Sequence, residues 1–292
     1  MELFFGSVFN LALTKQTKIL NSVQIIRAGN ANSWQNYLRS VAGKAGLIFT
    51  LAKRDVQIKY AQSLLGVFWV LIQPLAGVAL FTLVVSHWLK LPAQNYPYPL
   101  FAFTGIVVWN FFSYMVTAGG TSLTDSRQLI HRLSFPKIVL PLSKIVVGLL
   151  DCIIALVLLF VVVLFTGVSY SVTILMLPLF LFFLILTGLS VSLWLAALTI
   201  RFRDFYHIIP YVINFGIWIT PVFYPLDIVP AHFRLVVFCN PVAMAVEGFR
   251  WCFFGSYFSV VEFIPSILLV MILLISGLFY FRSVESKIAD TI

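Results

Sequence analysis

The sequence predicts an all-α integral membrane protein: six transmembrane helices, an N-terminal interfacial amphipathic helix before the first, and a re-entrant helix pair before the last. Three observations predict it. Hydrophobic residues occupy 61% of the 292 positions, where a soluble domain has roughly 45–50%. Charged residues fall to 10%, against about 25% in a soluble chain, too few to cover so large an apolar surface in water. Those charges flank uncharged runs long enough for a crossing, which takes about 20 mostly apolar residues. The net charge of +9 therefore reads as topology beside anionic lipid. A nucleic-acid partner is not expected.

The elements follow in order. Residues 1–44 are expected to be a cytoplasmic extension, since Leu3–Leu13 is preceded by Glu2 and lacks the form of a signal peptide. Residues 45–65 carry the interfacial helix, with Thr50, Lys53, Arg54 and Gln57 on one face and Ile48, Leu51, Ala52 and Ile58 opposite. Asp55 and Lys59 lie one turn apart there and can pair. The six-helix domain is expected over 64–282. Its first span falls in Leu64–Leu89 and its second near Pro99–Thr117. No charge appears between Asp151 and Arg201, a run too long for one helix, and Gly167–Ser171 divides it into Ile138–Thr166 and Val172–Ile200. Phe205–Phe223 and Phe263–Phe281 complete six, and residues 283–292 form a tail.

The segment 226–256 is apolar and aromatic but broken by Asp227, Arg234, Asn240-Pro241, Glu247 and Arg250. Two short half-helices, 228–238 and 242–254, fit it as a re-entrant pair lining a pathway, because irregular backbone at membrane depth must be buried in protein or line a wet cavity. An external loop with surface helices is the other reading. All the Lys and Arg except Lys90, Arg234 and Arg250 fall on one side of a six-span layout, which places both termini in the cytoplasm.

Few residues suggest chemistry. Cys152, Cys239 and Cys252 have no metal spacing, and the four His are scattered, so no metal is expected. A phosphate-binding loop is missing; Gly43-Lys44-Ala45 lacks both the upstream Gly and the hydroxyl. Asp151 lies inside the third span, where a lone carboxylate costs roughly 2.5–3.5 kcal/mol, so it needs a polar partner or water. A structural hydrogen bond and a place in a pathway are both open to it. Glu247 and Arg250 are spaced to pair. Residues 122–133, capped by Thr124 or Asp125, read as a short cytoplasmic helix that either receives motion from a soluble partner or simply connects two spans. Tyr96, Tyr98, Trp109, Phe111, Phe112, Tyr114, Trp218, Phe223, Tyr224 and Trp251 gather toward the external side, and aromatic faces of this kind stack on sugar rings.

Four blocks then appear in order. The first is Arg54-Asp55, Lys59-Tyr60, Ser63, Leu65-Gly66, Trp69 and Gln73-Pro74-Leu75. The second is Trp109, Phe111-Phe112, Phe135-Pro136 and Leu140-Pro141-Leu142. Arg203-Asp204, Pro210, Thr220-Pro221-Val222 and Tyr224-Pro225 form the third, and Asn240-Pro241, Glu247 and Arg250 the fourth. Together they resemble the permease of a type-2 ABC exporter, in the polysaccharide branch that exports O-antigen, capsule or teichoic acid. The resemblance runs from Lys53 onward and leaves the first 40 or so residues outside it.

The resemblance implies a transporter subunit and not an enzyme, placed in the bacterial inner membrane as a homodimer with two copies of a separate ABC ATPase. ATP and Mg would sit on that partner, with no cofactor in this chain. It implies a polyprenyl-pyrophosphate-linked glycan as substrate. Lys53, Arg54 and Lys59 would attract the pyrophosphate, and Trp109, Phe111, Phe112, Tyr114, Trp218, Phe223, Tyr224 and Trp251 would line the sugar path. Asp125, Arg127, Gln128, His131, Arg132, Arg203 and Asp204 would meet the ATPase, with Asp151, Glu247 and Arg250 as intramembrane polar residues. The same architecture carrying a drug or a lipid is the alternative. An intramembrane glycan-lipid transferase would want clustered acids or His, and Asp151, Asp204, Asp227 and Glu247 are dispersed.

Overall fold

The computed structural model describes residues 34–61, 66–84, 96–168 and 171–291. The chain divides into two compact units, Met1–Ser40 and Val41–Ile292. Of the first, the structure describes the start of helix α1 (Trp34–Ala42), where Trp34 and Tyr37 meet edge to face and Ser40 Oγ donates to the Tyr37 carbonyl.

The second unit is all-helical among its described residues. It comprises α2 (Ala45–Tyr60), α3 (Trp69–Val84), α4 (Tyr98–Asp125), α5 (Arg127–Arg132), α6 (Val139–Thr166), α7 (Leu177–Arg201), α8 (Asp204–Ile219), α9 (Ala231–Phe238), α10 (Pro241–Phe254) and α11 (Val260–Thr291). Among the described residues, four helical stretches are long and apolar enough to cross a membrane: Tyr98–Asp125, Val139–Thr166, Val172–Arg201 and Val260–Glu285. The pair α9–α10, bent by 86° at its break, makes a fifth if it counts as one span. The first and fifth expected spans correspond to α3 and α8, each 16 residues. At 1.5 Å per residue each rises about 24 Å, short of a hydrocarbon core of about 30 Å. Residues 85–89 of the first expected span lie outside the described residues.

The second span is longer than hydropathy indicates. It continues beyond Thr117 to Asp125 because Gly119, Gly120 and Ser122 are buried against protein. Helices associate closely in lipid when small residues line their contact. On α7, Gly188, Ser192 and Ala196 recur every fourth residue and are buried against α4. A Cβ on Gly119 would lie 2.8 Å from that of Ser192, and Thr199 Oγ1 donates to the Gly120 carbonyl at 2.9 Å. Helix α4 thus becomes the central post, in contact with α3, α6, α7, α8 and α10. Most of α11 faces outward; it touches α7, where Trp194 Nε1 donates to the Leu273 carbonyl and its ring stacks on Tyr280.

The breaks fall where the chain has the residues for them. Gly167 and Gly255 end α6 and α10 in the left-handed region, at φ 69° and 65°, which a glycine adopts without steric penalty. Asn240 opens α10: its Oδ1 accepts from the Val242 and Ala243 N–H groups, with Pro241 in the first turn.

Candidate functional site: a tethered polar cavity and a buried arginine knot

Helix α2 is held to α6 by charge. Asp55 accepts from Lys144 Nζ at 2.7 Å and from Arg54 Nη2 at 2.8 Å. Lys59 Nζ and the Tyr60 hydroxyl each donate to a different oxygen of Asp151, both at 2.5 Å. The expected Asp55–Lys59 pair within α2 does not form. Helix α6 brings Lys144 and Asp151 alongside, and each α2 residue finds its partner across the helices. Both carboxylate oxygens of Asp151 are thereby matched, which answers the cost of a charge inside a span. Lys59 also stands 4.6 Å above the Tyr114 ring, a cation–π distance.

Beside this tether lies a cavity of about 280 Å³. Helix α2 gives it Lys59 and Tyr60; α3 gives Trp69 and Gln73; α4 gives Asn110, Phe111, Ser113, Tyr114 and Thr117; α6 gives Gly148 and Asp151. Gly148 makes room, since a Cβ there would sit 2.7 Å from Tyr114 Cδ1. Burial raises the Tyr60 phenol above its ordinary pKa, and the bond to Asp151 adds to the shift, so this hydroxyl is a standing donor. The expected site residues do not include Gln73, although it falls in the first of the four blocks, nor Lys144, Asn110, Ser113 and Thr117. Their signal was present on α4: Asn110, Ser113, Thr117, Thr121 and Asp125 recur at intervals of three and four, so one face of an apolar helix is polar down to its end.

At the first turn of α4, around Phe101, sits a different assembly. Arg250 is fully buried. Its Nη1 donates to Glu247 Oε1 at 2.7 Å and to the Pro221 carbonyl at 2.8 Å; its Nη2 donates to the Val222 carbonyl at 2.8 Å and the Phe101 carbonyl at 3.4 Å. The guanidinium carbon also lies 3.4 Å from the centroid of the Phe101 ring. The turn after α8 exposes carbonyls that no helix satisfies, and the planar fork of an arginine serves several at once. Asn240 Nδ2 donates to Thr220 Oγ1 at 3.1 Å, fastening the start of α10 to the same turn. The Glu247–Arg250 pair expected from spacing is thus present.

The eight aromatics of the expected sugar path divide among several places. Phe223 stacks on Phe81 with centroids 3.5 Å apart, beside Trp218, which is exposed. The Tyr224 hydroxyl donates to the Trp218 and Ile219 carbonyls. Trp109 and Phe112 are buried and line a second, apolar cavity of about 380 Å³ with residues of α7 and α8. Phe111 and Tyr114 border the polar cavity, and Trp251 packs with Phe180 and Phe258.

Of the residues expected to meet an ATPase, Asp125, Gln128, His131, Arg132, Arg203 and Asp204 are exposed, and Arg127 is half-buried. Neither Thr124 nor Asp125 caps the short helix α5. Ser126 occupies the cap position without a side-chain bond, because Asp125 turns back to accept from Thr121 Oγ1 at 2.7 Å. The loop after α5 is fastened by the Lys137 N–H, which donates to Glu285 of α11. Burial lowers the Lys137 ammonium pKa, with Glu285 opposing the shift. On α2, Arg54 and Lys59 are in ion pairs and Lys53 is exposed, with no ion pair among the described residues. No group of three or more His, Cys, Asp or Glu that could hold a metal ion occurs among the described residues.

A helical bundle with several membrane-length apolar helices is a multi-pass membrane protein, and residues 46–254 match the family described as ABC-2 type transporter. The chain belongs to that family. Its relatives include an O-antigen export system permease protein RfbA of Myxococcus xanthus, 29% identical over 216 residues, or 72% of this chain and 80% of the relative. Two proteins of the same name from Klebsiella pneumoniae are 25% and 26% identical over 252 and 248 residues, each alignment covering 84% of this chain and 94% of the relative.

Proposed function

We propose that this chain is the transmembrane subunit of an ABC exporter that moves an O-antigen-like polysaccharide, linked to polyprenyl pyrophosphate, from the cytoplasm across the bacterial inner membrane. The observation that carries it is alignment with O-antigen export permeases over as much as 84% of the chain. The aligned family region contains α2, the polar cavity and the α9–α10 pair. In this reading the protein has six spans, α3 and α8 being the two short ones. The bent pair α9–α10 is re-entrant, α2 lies in the cytoplasmic interface, and both termini are cytoplasmic. The one-sided placement of Lys and Arg supports that orientation.

Two copies of the chain pair with two ABC ATPase subunits, which hold ATP and Mg. Helix α5 and the exposed Arg203-Asp204 corner meet the ATPase, and α6, which follows α5 directly, carries the motion toward α2 through the Asp55–Lys144 and Lys59–Asp151 bridges. Lys53 and Arg54 draw the pyrophosphate to the interface, and the aromatics near 109–114 and 218–224 contribute to the sugar path. The test is deletion of the chain in its own cell. Lipid-linked polysaccharide should accumulate on the cytoplasmic face, and restoring the chain together with its ATPase should clear it. Normal surface polysaccharide in the deletion strain would remove the proposal.

A further inference from the structure

The cavity beside α2 has polar side chains without a partner among the described residues. Gln73, Asn110 and Ser113 line it, and none of these three side chains has a hydrogen-bond partner among the described residues. Gln73 is exposed and Asn110 and Ser113 are half-buried, so all three are open to water or to a ligand. At the cavity's edge Lys59 is the more exposed member of its ion pair, 37% against 19% for Asp151. The ammonium can therefore be reached by an incoming anion while its carboxylate partner stays behind it. Asp151 holds two oxygens at hydrogen-bond distance from an ammonium and a phenol, an arrangement that a phosphate would reproduce.

The geometry points to a headgroup site in which Asp151 stands in for the ligand: a phosphate-bearing headgroup displaces Asp151 from Lys59 and Tyr60, and a hydroxyl-rich group attached to it fills the cavity against Gln73, Asn110 and Ser113. The volume of about 280 Å³ is near the lower end of ligand pockets, roughly 300 Å³. It takes one headgroup and not a length of polymer. Displacement has a mechanical consequence as well. Lys59–Asp151 is one of two ion pairs between α2 and α6, so occupancy leaves α2 held by Asp55–Lys144. The site senses its ligand by giving up a tether. The naming of the headgroup as a polyprenyl lipid rests on the exporter reading; the site itself does not.

The experiment is equilibrium binding to the full-length chain in nanodiscs of zwitterionic lipid, with two probes: polyprenyl pyrophosphate in the bilayer and inorganic pyrophosphate in solution. Asp151→Asn removes the competing charge and should bind tighter, by about tenfold. Exchanging the pair, Lys59→Asp with Asp151→Lys, keeps a bridge between the helices and should retain the thermal midpoint while losing about tenfold or more in binding. Asn110→Ala should weaken binding of a sugar-bearing polyprenyl pyrophosphate and leave the bare probe unchanged. Preference for the polyprenyl probe assigns the anion to a lipid, and an equal response to inorganic pyrophosphate assigns it to a soluble phosphate; both support displacement. Unchanged binding in Asp151→Asn, or wild-type binding by the exchanged pair, overturns the site and leaves the exporter reading intact.

Discussion

Helix α4 borders one ion pair at its first turn and another at its middle, and the two pairs are built to opposite ends. Arg250 and Glu247 belong to one short helix, and the arginine is fully buried, its fork spent on one carboxylate and three backbone carbonyls. Lys59 and Asp151 lie 92 residues apart in sequence on different helices, and the lysine is partly open to its surroundings beside a cavity lined by the Gln73 and Asn110 amides. A buried pair whose two terminal guanidinium nitrogens are both engaged can only be broken. A partly exposed pair beside a polar cavity can be exchanged. The difference teaches where the molecule is fixed and where it can respond: the bent pair is anchored to the α8–α9 turn, and α2 is held by bridges that another charge can replace.

The contrast can be broken at its strong end first. Arg250→Met leaves Glu247 without its cation and strips donors from the Pro221 and Val222 carbonyls. Breaking a buried pair in this way costs about 3–5 kcal/mol, so the detergent-solubilised protein should show a large fall in thermal midpoint and in yield. A near-wild-type midpoint would erase the distinction between the two regions. Next comes Gly105→Ala, whose Cβ would lie 2.8 Å from the Val222 carbonyl oxygen. Backbone cannot move aside as a flexible side chain can, and a loss of about 1–3 kcal/mol is expected for this overpacking, read by the same unfolding measurement.

The tether should yield less. Asp55→Asn and Lys144→Met each weaken a bridge whose members are mostly but not fully buried. A double-mutant cycle on them should return a coupling of about 1–2 kcal/mol, within the range for residues in contact. Zero coupling would mean that α2 is held by packing alone. Smallest of all is Lys53→Ala, an exposed residue outside these networks, with a stability change within about 0.5 kcal/mol; only its effect on export is informative.

Much of this architecture was legible in the sequence, because its causes are local. Uncharged length marked the long helices, Gly167 divided the fourth span from the third, and Asn240-Pro241 fixed the break that the structure shows as an 86° bend. Glu247 and Arg250 were legible as a pair because one turn of helix suffices to join them. The tether was not. Spacing of Asp55 and Lys59 says that they can meet, but Lys144 and Asp151 arrive from a helix nearly 90 residues away, and tertiary partners outcompete the local one. The cavity lay between these cases. Its polar stripe on α4 follows helical spacing, yet a few Ser, Thr and Asn side chains in an apolar run scarcely alter hydropathy, and only folding shows that they share a space with Gln73 and Asp151. The aromatics were harder still, since abundance says little about which ring faces lipid, cavity or core.

The measurement closest to the central claim is ATP hydrolysis by the reconstituted complex of this chain with its ABC ATPase subunit, with and without polyprenyl-linked glycan. The account predicts stable co-purification and hydrolysis that rises when the glycan lipid is present. Co-purification with hydrolysis indifferent to glycan would contradict the assigned cargo, and a chain that binds no ATPase would contradict the exporter itself.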